Sequence, residues 1–159
     1  MLERYYQMGI QSCLEKYAAA IANIQAAKIK PLDLSGSWLQ AWLVDGTHIR
    51  DTLSIEFIGG GHHYVYPWIP ENEIWIEVSV PDADRDAFLV HELHERALML
   101  RGMEYDAAHE MANQLEKHVR ENPGSLPGAL ISVIAQNERF PVAGVKPGKG
   151  AGVKARASN

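Results

Sequence analysis

The chain has 159 residues, of which 47% are hydrophobic and 22% are charged, and its formal net charge is -5. These values predict one globular domain with a sizeable core, and they argue against a broad attraction to nucleic acid or to anionic membranes. No apolar run reaches the roughly 18 residues of a membrane-spanning helix, and the single cysteine, Cys13, excludes an internal disulfide and a cysteine-based zinc site. We therefore expect a cytoplasmic protein whose metal site, if it has one, uses histidine and carboxylate.

Residues 1–30 are predicted to form one long amphipathic helix that ends at Pro31. Apolar side chains recur there at spacings of roughly three and four residues, among alanines that favour a helix. The apolar face would either pack on the domain or contact a partner molecule. If the partner is a second copy of the chain, the protein is a homo-oligomer that assembles through this helix. In its general character this N-terminus is similar to small bacteriophage or mobile-element proteins.

Four segments then have the pattern of extended structure. The first ends at Asp45-Gly46, a strong turn pair, and the second alternates apolar and polar residues. The third follows three consecutive glycines, which predict a hairpin turn, a bulge or a close approach of the backbone. The segments are residues 37–44, 52–58, 62–66 and 73–78.

The C-terminal half is predicted to contain a helical hairpin. One helix covers residues 84–101 and ends at Gly102, and a second covers residues 105–120. Residues 128–136 would form a final short helix or strand, and residues 137–159 a disordered basic tail. The expected fold is therefore an α+β domain over residues 31–136, with a small, mostly antiparallel sheet of three to five strands.

The first hairpin helix carries four side chains that can hold or move a proton. His91 and Glu95 are four residues apart and share one face, with His94 on the flank of that face. Glu92 lies about 100° around the helix from His91. The opposite side is apolar, so this histidine- and glutamate-bearing face predicts a functional site, with His94 as one candidate catalytic residue.

A strand at residues 73–78 followed by a helix with His91-Glu92-x-x-Glu95 resembles the zincin metallopeptidases, whose active-site helix carries the motif H-E-x-x-H. The resemblance spans roughly residues 50–120, and it implies that His91 is a metal ligand and Glu92 the general base for a metal-bound water. Glu95 stands where that family has its second histidine, and a carboxylate can also ligate zinc. The third ligand would come from farther along the chain, where His109 on the next helix is the best candidate.

The function that this resemblance implies is that of a small metal-dependent hydrolase acting on a substrate such as a peptide. Two histidines and one carboxylate suit zinc best, and they also suit iron or manganese. His62, which follows the three glycines, is expected to reach the site as a further catalytic residue, while His63 would face the opposite way.

The alternative is a non-enzymatic structural or interaction protein, for example an oligomeric phage component. In that case Glu92 and Arg96 form an i,i+4 ion pair, Glu95 pairs with Arg101 or with a neighbouring chain, and His109 lies at a helix–helix seam. The sequence has no motif for binding nucleotide phosphates or dinucleotides and none for a serine nucleophile. Outside the C-terminal tail it also has no basic, aromatic pattern typical of a nucleic-acid surface.

Overall fold

The computed structural model describes residues 2–138, with side chains from residue 8 onward. It confirms the α+β class, because five helices accompany a four-stranded sheet within these residues. In chain order the elements are α1 (Leu2–Ala27), β1 (Lys28–Leu32), β2 (Gln40–Val44), α2 (Gly46–Thr52), β3 (Gly60–His62), β4 (Glu73–Glu77), α3 (Arg85–Leu100), α4 (Tyr105–Glu121), a short 3-10 turn (Pro123–Ser125) and α5 (Leu126–Glu138).

The sheet has the strand order β1-β2-β4-β3. The two outer pairings, β1 with β2 and β3 with β4, are antiparallel, whereas the central pairing of β2 with β4 is parallel. The expectation of a small, mostly antiparallel sheet is therefore confirmed. Its edge strand β3 contacts α3, which brings the glycine-rich segment to the helix that carries His91.

The N-terminal helix is three residues shorter than predicted. It ends at Ala27, and the segment before and after Pro31 is not helical but forms β1, in which Lys28 is paired with Val44 and Leu32 with Ala41. Pairing with the neighbouring strand satisfies backbone groups and outweighs the local helical pattern.

The predicted strand over residues 52–58 is wrong, because the end of α2 and a series of turns occupy this segment. Of its apolar residues Phe57 is buried, whereas Ile55 and Ile58 are exposed. The Asp45-Gly46 pair is likewise not a hairpin turn, since the Asp45 carboxylate accepts a hydrogen bond from the His48 N–H and caps α2. After β2 the chain therefore passes through α2 and returns to the sheet in β3 and β4.

Both faces of the sheet are covered. On one face β2 and β4 pack against α3 and α5 through a cluster that includes Leu43, Ile76, Leu93 and Val133. A second cluster, which includes Ala27 at the end of α1, Ile49 and Trp75, forms around the end of α1, α2 and the turns after it. Helix α3 is thus buried along most of its length, and polar side chains on it are held in a dry environment.

Helices α3 and α4 form the predicted hairpin, and Gly102, with φ +88°, ends the first helix. Arg120 near the end of α4 pairs with Asp84 at the start of α3, so the two helices are also joined at the far end. None of the described helices is both long and apolar enough to cross a membrane.

Helix α5 continues through residues 137 and 138, which were assigned to the tail. Asn137 is fully buried, donates to the carbonyls of Leu93 and Val133, and accepts from Arg96. The domain therefore extends at least to Glu138. The rest of the predicted tail, residues 139–159, lies outside the described residues.

Candidate metal centre

The three residues predicted as metal ligands lie together between α3 and α4. One ligand atom from each of His91, Glu95 and His109 lies within 4.8 Å of the others. His91 Nε2 is 3.4 Å from Glu95 Oε2, close to the ~3.3 Å between two ligands of a tetrahedral zinc ion with bonds of about 2.05 Å. His109 Nδ1 is 2.6 Å from the same oxygen, which is a hydrogen-bond distance. The His109 side chain is 41% exposed.

The spacing of the sequence accounts for this geometry. The i,i+4 separation puts His91 and Glu95 on one face of α3, and the turn at Gly102 folds α4 back along that face. His109 then sits in the second turn of α4, where its ring stacks on Tyr105 with the ring centroids 5.3 Å apart.

A fourth residue, Glu116, was not predicted but completes the surroundings of His91. Its Oε2 lies 2.9 Å from His91 Nδ1, and its Oε1 is 2.9 Å from the Arg120 guanidinium. A metal-binding histidine almost always has a carboxylate, carbonyl or water on its other ring nitrogen, which fixes the tautomer and the ring orientation. The signal was present in the sequence, because Glu116 is seven residues after His109 and so lies on the same face of α4.

Glu95 is the centre of the cluster, since it contacts three histidines. Its Oε1 is 3.1 Å from His62 Nε2, and its Oε2 faces His91 and His109. Burial alone would raise the pKa of the Glu95 carboxyl, but the hydrogen bonds to His62, His91 and His109 outweigh burial and hold the pKa far below its usual range. Glu95 is therefore ionised and offers both oxygens.

The pKa of the His91 imidazole is shifted in the opposite direction. Burial lowers the pKa of this imidazole, yet contacts with the carboxylates of Glu116 and Glu95 dominate and raise the pKa to about 10. A metal ion at Nε2 would take the place of that proton, because ligation requires the neutral ring.

Glu92 differs from its neighbours because its carboxylate hydrogen-bonds to none of the described residues. It is 7% exposed, and burial, opposed by His91 and reinforced by Glu95 and Glu116, raises the pKa of its carboxyl to about 8. It lies against the backbone of β3, where a Cβ on Gly60 would come within 2.9 Å of Glu92 Oε1. Of the interpretations of the three glycines, a close backbone approach is thus confirmed.

The cleft over these groups has a volume of about 90 Å³ and is bordered by Glu92, Glu95, His91 and His109. Ile58, Val65, Tyr66 and Tyr105 form its apolar and aromatic walls, together with the backbone of Gly60 and Gly61. Among residues 8–138, whose side chains the structure describes, no lysine or arginine borders the cleft, so its ionisable groups are carboxylates, imidazoles and tyrosine hydroxyls.

Of the two other candidate catalytic residues, the structure brings only His62 to the cluster. His62 is completely buried on β3 beside Glu95. His94 instead lies beside Gln136 on α5 and does not line the cleft. The reason is helical geometry, because His94 is three residues after His91 and its ring follows the flank that α5 covers.

The ion pairs expected for a purely structural helix are wrong. Arg96 does not pair with Glu92 but donates to Asn137 and to the Glu71 carbonyl. Arg101 donates to the carbonyls of Ala97 and Gln136 rather than to Glu95. Glu92 and Glu95 of α3 therefore lie beside histidines rather than arginines.

Comparisons of the chain with protein-family models, with curated proteins and with solved structures find no match. The functional argument consequently rests on the site alone. The structure thus shows an α+β fold in which two histidines and a glutamate meet between the helices of a hairpin, with His91 and Glu95 buried and His109 partly exposed.

Proposed function

We propose that this chain is a small metal-dependent hydrolase that acts on peptides, as the degenerate zincin-like motif first suggested. The observation that carries the proposal is the convergence of His91, Glu95 and His109 within 4.8 Å, with Glu116 behind His91. Two histidines and one glutamate are the ligands of several catalytic zinc sites. Zinc is therefore the metal we favour, and iron or manganese would suit the same donors.

Glu92 is the residue we assign as the general base. A bound divalent ion would supply Lewis acidity, which lowers the pKa of a coordinated water. Burial raises the pKa of the Glu92 carboxyl in the metal-free chain, and a raised pKa makes the ionised carboxylate a stronger base. It would accept a proton from the attacking water and return it to the leaving amine, and its freedom from other hydrogen bonds within the described chain supports this role.

The substitution Glu92→Gln tests the proposal, because it keeps the shape of the side chain and removes the base. Hydrolysis of a synthetic peptide mixture, followed by mass spectrometry, should fall by about 10²- to 10⁴-fold. The zinc ion held by His91, Glu95 and His109 should be retained, and so should the melting temperature. Glu104→Gln, an exposed position before α4, is the control and should keep full activity. Unchanged hydrolysis in Glu92→Gln would contradict the assignment.

A second candidate function, an interaction protein that assembles through α1, is favoured by one specific observation. Helix α1 exposes large apolar side chains, with exposed fractions of 41% for Ile10, 56% for Leu14, 68% for Tyr17 and 42% for Ile21. Their spacing of four, three and four residues is the heptad pattern of a coiled-coil seam. Such a seam suits a second copy of the chain, as in an oligomeric phage component.

The oligomeric state tests this candidate. The double substitution Leu14→Lys and Tyr17→Lys should convert an oligomer to a monomer in analytical ultracentrifugation, since two charges in the seam cannot be buried. Glu15→Lys, on the same helix but outside the heptad positions, is the control. A monomeric unaltered chain would refute assembly through α1 and leave the hydrolase proposal intact.

A further inference from the structure

The carboxylate of Glu95 presents its two oxygens to two different sets of side chains. Oε2 faces His91 and His109, at 3.4 and 2.6 Å from their ring nitrogens. Oε1 faces His62, whose Nε2 is 3.1 Å away. Carboxylates that bridge two metal ions use their oxygens in this divided manner, with the ions about 3.5–4 Å apart.

The side chains around Oε1 form a second group of possible metal ligands. His62, Glu92 and Glu95 each offer an atom within 4.8 Å of the others, and all three side chains are buried. The Glu92 carboxylate has no hydrogen-bond donor among the described residues. Two ionised carboxylates placed side by side in a dry environment repel each other, and either a proton on one of them or a cation between them removes the repulsion.

We propose that His62, Glu92 and Oε1 of Glu95 form a second position for a divalent metal ion, and that filling it inhibits the enzyme. The inference rests on the proposed function, since Glu95 is shared with the first position and Glu92 is the assigned base. An ion ligated by Glu92 occupies the lone pair that would accept the proton of water, so hydrolysis stops while the second position is filled.

The second position should bind its metal ion more weakly than the first. An ion there would lie close to another divalent ion, and like charges repel strongly at short distance. Its histidine is also less well supported, because among residues 2–138 no carboxylate lies at ion-pair distance from Nδ1 of His62, whereas Glu116 Oε2 lies 2.9 Å from Nδ1 of His91. The first ion therefore binds at low zinc concentration and the second at higher concentration.

Zinc titration of the chelator-treated full chain, against a chromophoric competitor, measures the number of ions directly. The unaltered protein should bind two zinc ions per chain in two separable steps, and His62→Ala should bind only one. His63→Ala is the matched control, because His63 is the adjacent residue, packs on Tyr64 and belongs to neither ligand set; it should still bind two.

Activity distinguishes failure of this inference from failure of the proposed function. Excess zinc should inhibit peptide hydrolysis by the unaltered chain and by His63→Ala, and His62→Ala should lose that inhibition. If the unaltered protein binds a single zinc ion, and His62→Ala binds that ion more weakly, His62 acts only as a hydrogen-bond partner of Glu95. This result would overturn the second metal position and leave the proposed function intact. No zinc in any variant would overturn both. If His62→Ala fails to fold by circular dichroism, Glu92→Gln replaces it in the titration and should also bind one ion.

Discussion

Removal of the Glu116 carboxylate should weaken metal binding although Glu116 is not a ligand. Its Oε2 lies 2.9 Å from His91 Nδ1, so it sets the orientation of the ring and increases its basicity. Loss of such a partner typically reduces metal affinity by about 10- to 100-fold, which corresponds to about 1.4–2.7 kcal/mol. For Glu116→Gln, which keeps an acceptor and loses the charge, the loss of metal affinity should lie near the lower end of this range. For Glu116→Ala it should lie near the upper end.

Zinc competition with a chelator of known affinity measures this loss. The control is Glu121→Gln, which lies on the same helix and whose side chain is 62% exposed; its zinc affinity should equal that of the unaltered protein. Chemical denaturation in the absence of metal separates a general loss of stability from a loss of binding. Equal zinc affinity in Glu116→Ala and the unaltered chain would refute the assigned role of Glu116 and weaken the case for His91 as a ligand.

Three further predictions concern the scaffold of the site, and chemical denaturation measures each of them. Gly60→Ala places a Cβ 2.9 Å from Glu92 Oε1 and from the Trp75 carbonyl, and it should destabilise the fold by about 1–3 kcal/mol. The control is Gly128→Ala, which has open space around its Cβ and should be neutral or slightly stabilising. Asn137→Ala should cost about 1–3 kcal/mol because it removes a partner from buried polar groups; no loss would contradict the extended domain boundary. Burial opposes the ionisation of Glu77, but hydrogen bonds from Arg50 and Gly59 outweigh burial and lower the pKa of its carboxyl. The ionised carboxylate therefore stabilises the fold above the pKa of the unfolded state, and this stabilisation is lost as the pH falls through the pKa of the folded state. Glu77→Gln should thus flatten the acid side of the stability–pH curve, and an unchanged acid side would contradict the lowered pKa.

The parts of the fold that could be predicted from the sequence are those that local patterns determine. Helices α3 and α4 have clear helical periods, and Gly102 marks the turn between them, so the hairpin follows from spacing alone. The same spacing brings His91, Glu95 and His109 together. The candidate ligands could therefore be named before any long-range contact was known.

The errors arise where long-range contacts decide the structure. Residues 28–30 are strand rather than helix because β2 is available to pair with them, and nothing local encodes that partner. The alternating pattern of residues 52–58 does not produce a strand of the sheet, and the glycine-rich β3 pairs with β4 instead. Similarly, no spacing rule shows that α5 would cover His94 and bury Asn137.

The central claim is that His91, Glu95 and His109 hold a divalent metal ion, and elemental analysis tests it most directly. Protein purified without a metal-affinity tag should contain about one tightly bound transition-metal ion per chain, with zinc favoured, and His91→Ala should lose it. Added zinc at about 100 times its dissociation constant should also stabilise the metal-free chain by about 2.7 kcal/mol. A chain that contains no metal, and whose melting temperature neither zinc nor manganese raises, would contradict the account.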